Sequence, residues 1–175
     1  AGTQSAFLNR ENVTDGQFAQ DWLVMPITVM PNNAQLRFWT RQTLAGNQGS
    51  SYSIRISTTS QTNAASFTTV QTWTETDMNA TYNVYEEKVV SLSAYPAGTQ
   101  LYIAFVMTND NGDRWLIDNV NVLEQCLDPT TLTATNLGLT TATLGWTNIG
   151  GAPQFQVEVI APAGTQTGVP TATVS

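Results

Sequence analysis

The chain has 175 residues, 41% of them hydrophobic, and a formal net charge of −7 with only six Lys plus Arg. That balance denies it the basic face a nucleic-acid binder needs and argues against anionic membrane surfaces; no run of about 18 apolar residues exists to cross a bilayer. With no histidine and a single cysteine, Cys126, it also lacks the makings of Ser-His-Asp or Cys-His nucleophiles, the usual zinc and copper sites, and an intrachain disulfide.

The start, Ala1 to Ser5, has neither a basic nor an apolar leader region, so any secretory signal is expected to be gone already. Helical periodicity is absent, and period-2 runs of Val, Ile, Thr and aromatics take its place. Phe7 to Phe18 is expected to supply a short strand and a long loop. Trp22 to Met25 leads through Pro26 to Ile27-Thr28-Val29, and Pro31-Asn32-Asn33 makes a turn. Ala34 to Arg41 alternates, with Leu36, Phe38 and Thr40 on one face and Arg37, Trp39 and Arg41 on the other. Two charges and a Trp on that second face suggest a half-exposed side, where an Arg lies over the indole. Ser51 to Thr58 turns Tyr52, Ile54 and Ile56 inward. Phe67 to Trp73 is the next strand, Asp77 to Ala80 a turn, and Tyr82 to Leu92 another strand. Leu101 to Met107 is nearly all apolar and reads as a central strand buried on both faces.

Next comes Asn109-Asp110-Asn111-Gly112-Asp113, running into the strand Trp115 to Leu123. Asn-Gly favours a hairpin turn. The same oxygens at Asn109, Asp110, Asn111 and Asp113 also suit a hard cation. Asp118 stands in the strand where an apolar residue is expected, between Leu116 and Val120. It reads either as a cation ligand or as a carboxylate paired with Arg114 or backbone amides. Seven or eight strands with regularly spaced turns argue a two-sheet antiparallel sandwich or jelly roll.

At residues 125–129 the texture changes: apolar runs shorten and Thr rises. A domain boundary is expected there, with strands over 132–135, 142–146 and 155–159. Cys126 reads as a small buried hydrophobe at the junction or as a partner for a cysteine outside this segment.

Two resemblances rest on particular residues. Residues 1–124 resemble the bacterial cleaved-adhesin or choice-of-anchor class, MAM-like jelly rolls of large secreted Bacteroidetes surface proteins. The likeness lies in Asp21-Trp22-Leu23-Val24-Met25-Pro26, Leu36-Arg37-Phe38-Trp39 and Trp115-Leu116-Ile117-Asp118-Asn119-Val120. Gln20 and Asn119 stand where the family has Asp, and each removes a negative charge. Residues 126–160 resemble the first half of a fibronectin type III domain. Pro129 with Leu132, the strand Ala142 to Trp146 and Phe155-Gln156-Val157 carry that match, with Phe155 where Tyr is usual. Half of such a sandwich exposes an apolar face and open edges, which implies a segment of a longer protein.

The resulting expectation is an all-β chain: an antiparallel jelly-roll sandwich over 1–124, a linker over 125–129 and an incomplete immunoglobulin-like sandwich over 130–175. The cleaved-adhesin resemblance implies Ca²⁺ held by Asp21 and Asp118, with Asn9 or Glu11 contributing and backbone carbonyls completing six to eight oxygens. Jelly rolls that bind sugars use aromatic platforms flanked by polar groups. Trp39, Arg41, Arg114 and Trp115 are the ligand-contact candidates; Trp73, Tyr82 and Tyr85 are further aromatics. Glu86 and Glu87 are adjacent on a strand and point to opposite faces, so they do not form a glycosidase pair. The functional expectation is a non-catalytic, secreted or cell-surface module that binds an extracellular glycan or protein, flanked by other domains. The alternatives are an accessory domain of a secreted protease or polysaccharide-degrading enzyme, and a filament spacer that self-associates by strand addition.

Overall fold

Nearly every alternating run in the first unit is a strand. In the computed structural model, which describes residues 4–150, 152–160 and 164–174, the chain divides into two units, residues 1–124 and 125–175. The first holds, among the described residues, nine strands: β1 (Ala6–Leu8), β2 (Ala19–Val24), β3 (Thr28–Val29), β4 (Ala34–Gln42), β5 (Ser51–Ser57), β6 (Thr68–Thr74), β7 (Glu86–Ser91), β8 (Gln100–Asn109) and β9 (Trp115–Glu124). Between β6 and β7, Glu75–Met78 forms a single turn of helix, α1, where the sequence suggested a plain turn beginning at Asp77. Its Met78 is fully buried in the core, and that burial gives the short helix its reason to form.

The strands make two antiparallel sheets, ordered β1-β9-β4-β7 and β2-β8-β5-β6, with β3 also paired to β8. Every connection except β2 to β3 and β5 to β6 passes from one sheet to the other. This is jelly-roll order, and it lets both inner faces share one core. The apolar run of β8 lies between β2 and β5, and its residues Leu101, Ile103 and Ala104 through Met107 are fully buried. Asn109 to Asp113 therefore does not close a hairpin. It carries the chain from β8 in one sheet to β9 in the other, so the Asn-Gly signal marks a chain reversal without strand pairing. Asn111 takes the left-handed φ of 49°. A side chain at Gly112 would stand 2.1 Å from Ser50 Oγ, so this crossing needs glycine.

Aromatic rings fill the space between the sheets. Phe38, Tyr52, Phe105 and Trp115 are fully buried. Phe38 meets Phe105 at 5.1 Å, Tyr52 meets Trp115 at 5.0 Å, and Phe105 meets Trp115 at 5.8 Å between centroids. Each such ring stabilises the fold by about 1.5–3 kcal/mol through burial, and tilted or edge contacts add about 1 kcal/mol. Trp115 Nε1 donates to Thr40 Oγ1 at 2.7 Å, which satisfies its one polar atom. The edge strand β7 faces Glu86 and Lys88 toward the inner residues Thr40 and Phe38. Inward charges on an edge discourage pairing with another chain.

The second unit is built differently. β10 (Thr130–Thr135) pairs with β11 (Thr143–Thr147), and β12 (Phe155–Val157) pairs with β13 (Ala172–Val174), a strand the sequence reading did not anticipate. Trp146 meets Phe155 edge-on at 5.2 Å. Around them opens a recess of about 320 Å³ lined by Leu132, Leu144, Trp146, Phe155 and Val157. Leu132 remains 72% exposed, because two-stranded pairs offer too little surface to cover it. Cys126 is exposed, which corrects the buried-hydrophobe reading: it stands in a segment outside any strand.

Candidate ligand-binding face

β4 places Leu36, Phe38 and Thr40 against the core with no exposure, so Arg37, Trp39 and Arg41 take the outer side of the sheet. In register, Trp39 lies between Asp118 on β9 and Glu87 on β7. Asp118 reaches that position through a bulge. Arg37 opposes Asn121 while Trp39 opposes Asp118, so β9 takes three steps where β4 takes two. Asn119 holds the bulge at φ 48°, a left-handed angle that Asn tolerates better than most residues. Its backbone N–H donates to Asp118 Oδ1 at 2.7 Å, and Asn121 Nδ2 donates to its carbonyl at 2.9 Å.

The bulge reassigns the faces of β9. Trp115 and Ile117 point into the core before it, and Val120 and Val122 pack on the core after it. Asp118 is left outside, beside Trp39. The sequence suggested that Leu116, Asp118, Val120 and Val122 share a face, which would put a carboxylate among core residues; the extra residue removes that conflict.

Trp39, Tyr85, Asp118 and Asn119 line a recess of about 190 Å³, and Trp39 is 38% exposed. The Arg41 guanidinium lies 4.9 Å from the centroid of Tyr85 and steadies that ring. Arg37 meets Glu87 through two parallel hydrogen bonds. The expected Arg-on-indole stacking occurs elsewhere, with Arg55 over Trp22 at 4.9 Å. Among the described residues no Arg covers Trp39. Of the four ligand candidates, Trp39 and Arg41 belong to this face. Trp115 does not: it is wholly buried and held by Thr40, so it is corrected to a core residue. Arg114 is half-buried at the entry to β9 and is not among the recess residues. Trp73 packs on Phe38 in the core at 6.1 Å. Tyr85, one of the further aromatics, joins this face, and Asn119 is the addition. A period-2 count places Tyr85, two residues before Glu87, but not Asn119.

The metal candidates divide between two places. Asp21 stands on β2, opposite Met107, and its Oδ2 accepts from Asn109 Nδ2 at 3.3 Å. Asn109 Oδ1 in turn accepts from the Glu11 N–H at 2.9 Å, and Asp110 Oδ1 accepts from the Val13 N–H at 3.1 Å. Partial burial, then the negative charge of Glu11, push the Asp21 carboxyl above its ordinary pKa, against the opposing pull of the Asn109 hydrogen bond. Two carboxylates thus repel each other beside Asn109, whose amide oxygen accepts from the Glu11 N–H. Asn9 is exposed at the end of β1. Asp118 lies in the other sheet, beside Trp39, and is not brought to Asp21. Among the described residues no three His, Cys, Asp or Glu side chains gather as they would around a metal ion.

Asp113 ties the neighbouring loop to the end of β4. It is fully buried, and its carboxylate accepts from the backbone N–H groups of Thr43, Leu44 and Arg114 and from the Thr43 hydroxyl. Its oxygens are committed to protein donors, so Asn109 to Asp113 acts as a staple between β4 and β9.

No family model and no curated protein matches the sequence. Among solved structures, the chain is similar to the K1 cleaved adhesin domain of Lys-gingipain from Porphyromonas gingivalis W83. The identity is 23%, the TM-score 0.51, and 68% of this chain and 73% of that one are covered. It is likewise similar to the K3 cleaved adhesin domain of the same protein, at 22% identity and a TM-score of 0.50, covering 68% and 72%. At such identities the likeness shows a shared β-sandwich fold.

Proposed function

We propose that this chain is a non-catalytic extracellular module of a larger secreted or cell-surface protein, binding a glycan or protein ligand through the outer face of the β1-β9-β4-β7 sheet. The supporting observation is the recess of Trp39, Tyr85, Asp118 and Asn119. It combines a partly exposed indole, a phenol braced by Arg41, and a carboxylate and amide at the rim. Solvent-facing aromatics flanked by a few fixed polar groups are what a ligand site requires. Similarity of fold to cleaved adhesin domains of Lys-gingipain from Porphyromonas gingivalis is compatible with this reading. The test is glycan-array and pull-down binding by the wild-type chain against Trp39→Ala and Tyr85→Ala. Undiminished binding by both variants would remove this face from the account.

Calcium belongs to the proposal as a stabiliser, with Asp21 and Glu11 as its side-chain ligands. Bound there, the cation would neutralise the repulsion between these two carboxylates and tie the segment after β1 to β2. A second reading is favoured by the open second unit: residues 125–174 expose an apolar recess that a strand from a neighbour would cover, as in a spacer within an extracellular filament. Ordered self-association in electron microscopy, lost on Leu144→Asp, would support that reading.

A further inference from the structure

We infer that the Trp39 recess takes one neutral pyranose ring, a single uncharged sugar residue rather than an extended or acidic glycan chain. The inference rests on the proposal that this face binds ligand, and it narrows the ligand class.

Three observations carry it. The first is size. Four residues line the recess, whose volume is about 190 Å³, below the roughly 300–1,000 Å³ of pockets for drug-sized ligands. One ring fits against Trp39 and Tyr85, and among the described residues no further aromatic side chain lines this recess. Among the described residues Trp39 is the one tryptophan side chain in this recess; Trp115 is buried and Trp73 packs inside.

The second is charge. Arg37 is paired with Glu87 through two hydrogen bonds, and Arg41 keeps its charge but lays its guanidinium on the Tyr85 ring. Inside the recess itself the ionic residue is Asp118. A uronate or sulfate would bring a second negative charge against it, and like charges held close together repel.

The third is hydrogen-bond polarity. Asp118 Oδ1 already accepts from the Asn119 N–H, which orients the carboxylate and leaves its remaining lone pairs as acceptors. Sugar hydroxyls are donors that fit them, while the C–H face of a pyranose fits the flat apolar surface of the indole.

The test is calorimetric titration of the whole chain with methyl glycosides of galactose, glucose and mannose, with linear trisaccharides of each, and with the matching uronosides. The inference predicts a dissociation constant on the order of millimolar for at least one neutral methyl glycoside, a trisaccharide within about threefold of it, and a uronoside at least about tenfold weaker. Trp39→Ala abolishes the binding, and Asp118→Asn narrows the gap between neutral and acidic sugars. A trisaccharide bound ten times more tightly, or a uronoside bound as well as its neutral counterpart, overturns the single neutral ring while leaving the ligand-binding face intact. If no sugar binds, the inference falls. If a protein ligand is also captured equally well by wild type and Trp39→Ala, the ligand-binding face falls with it.

Discussion

Replacing Asp113 with Asn distinguishes a structural staple from a cation loop. The side chain is fully buried and serves three backbone N–H groups and one hydroxyl. Asparagine keeps one acceptor oxygen and turns an NH₂ group toward donors. That leaves one or two N–H groups without an acceptor, at about 1–3 kcal/mol each. Charge-assisted bonds become neutral ones, with a further loss of about 1 kcal/mol. Thr43 and Leu44 are only partly buried, so water recovers some of this, and the expected net loss is about 2–3 kcal/mol. For a unit of this size that lowers the melting midpoint by roughly 8–12 °C. The assay is thermal melting followed by circular dichroism, in EDTA and in excess calcium. The staple predicts the same loss in both. A loss seen only with calcium, and absent in EDTA, would refute the reasoning and restore Asn109 to Asp113 as a metal loop.

Other expectations follow from particular residues. Calcium at saturation should raise the melting midpoint of the wild type and of Asp118→Asn but not of Asp21→Asn, since stabilisation by about 2.7 kcal/mol at a hundred times the dissociation constant requires the site; an unchanged wild-type midpoint in EDTA would sink the calcium proposal. Asn119→Val should cost about 1–2 kcal/mol in urea unfolding, because a β-branched residue strains φ 48°, and Asn119→Gly should be nearly neutral; equal stability of both would show that the bulge does not depend on this angle. Burial first, with the charges of Glu75 and Asp113 adding to it, raises the Tyr52 pKa above its ordinary value, while hydrogen bonds from Gln42 and Ser50 oppose the shift. A raised folded pKa means the contribution is full below the unfolded value near 10 and is lost as pH rises above it. Stability should therefore fall by up to about 1.4 kcal/mol per pH unit above pH 10 for the wild type and less steeply for Tyr52→Phe; parallel slopes would contradict the assignment.

Much of the sandwich is legible along the chain because alternation is a local property. β4 declares its faces through Leu36, Phe38 and Thr40 against Arg37, Trp39 and Arg41, and the apolar run of β8 declares a central strand. The site was less legible. Trp39 and Trp115 are the same residue type in similar alternating runs, and only the direction of the strand relative to the core makes one a surface platform and the other a core ring. Asp118 looked anomalous because an extra residue at Asn119 shifts the pattern by one, and an insertion of one residue has no signature in a period-2 count. Likewise, Asn111-Gly112 announces a reversal but not which sheet the next strand joins. That depends on Asp113 and Ser50 meeting the chain about 60–70 positions away, a distance at which local pattern carries no information.

The central claim is that ligand meets the outer sheet face at Trp39. Indole N–H resonances in the NMR spectrum of the labelled chain test it most directly, read during titration with the glycan or protein captured in the binding screens. The account predicts that the Trp39 resonance moves with saturation while Trp115, buried and bonded to Thr40, stays in place. A ligand that binds with Trp39 unmoved would contradict it.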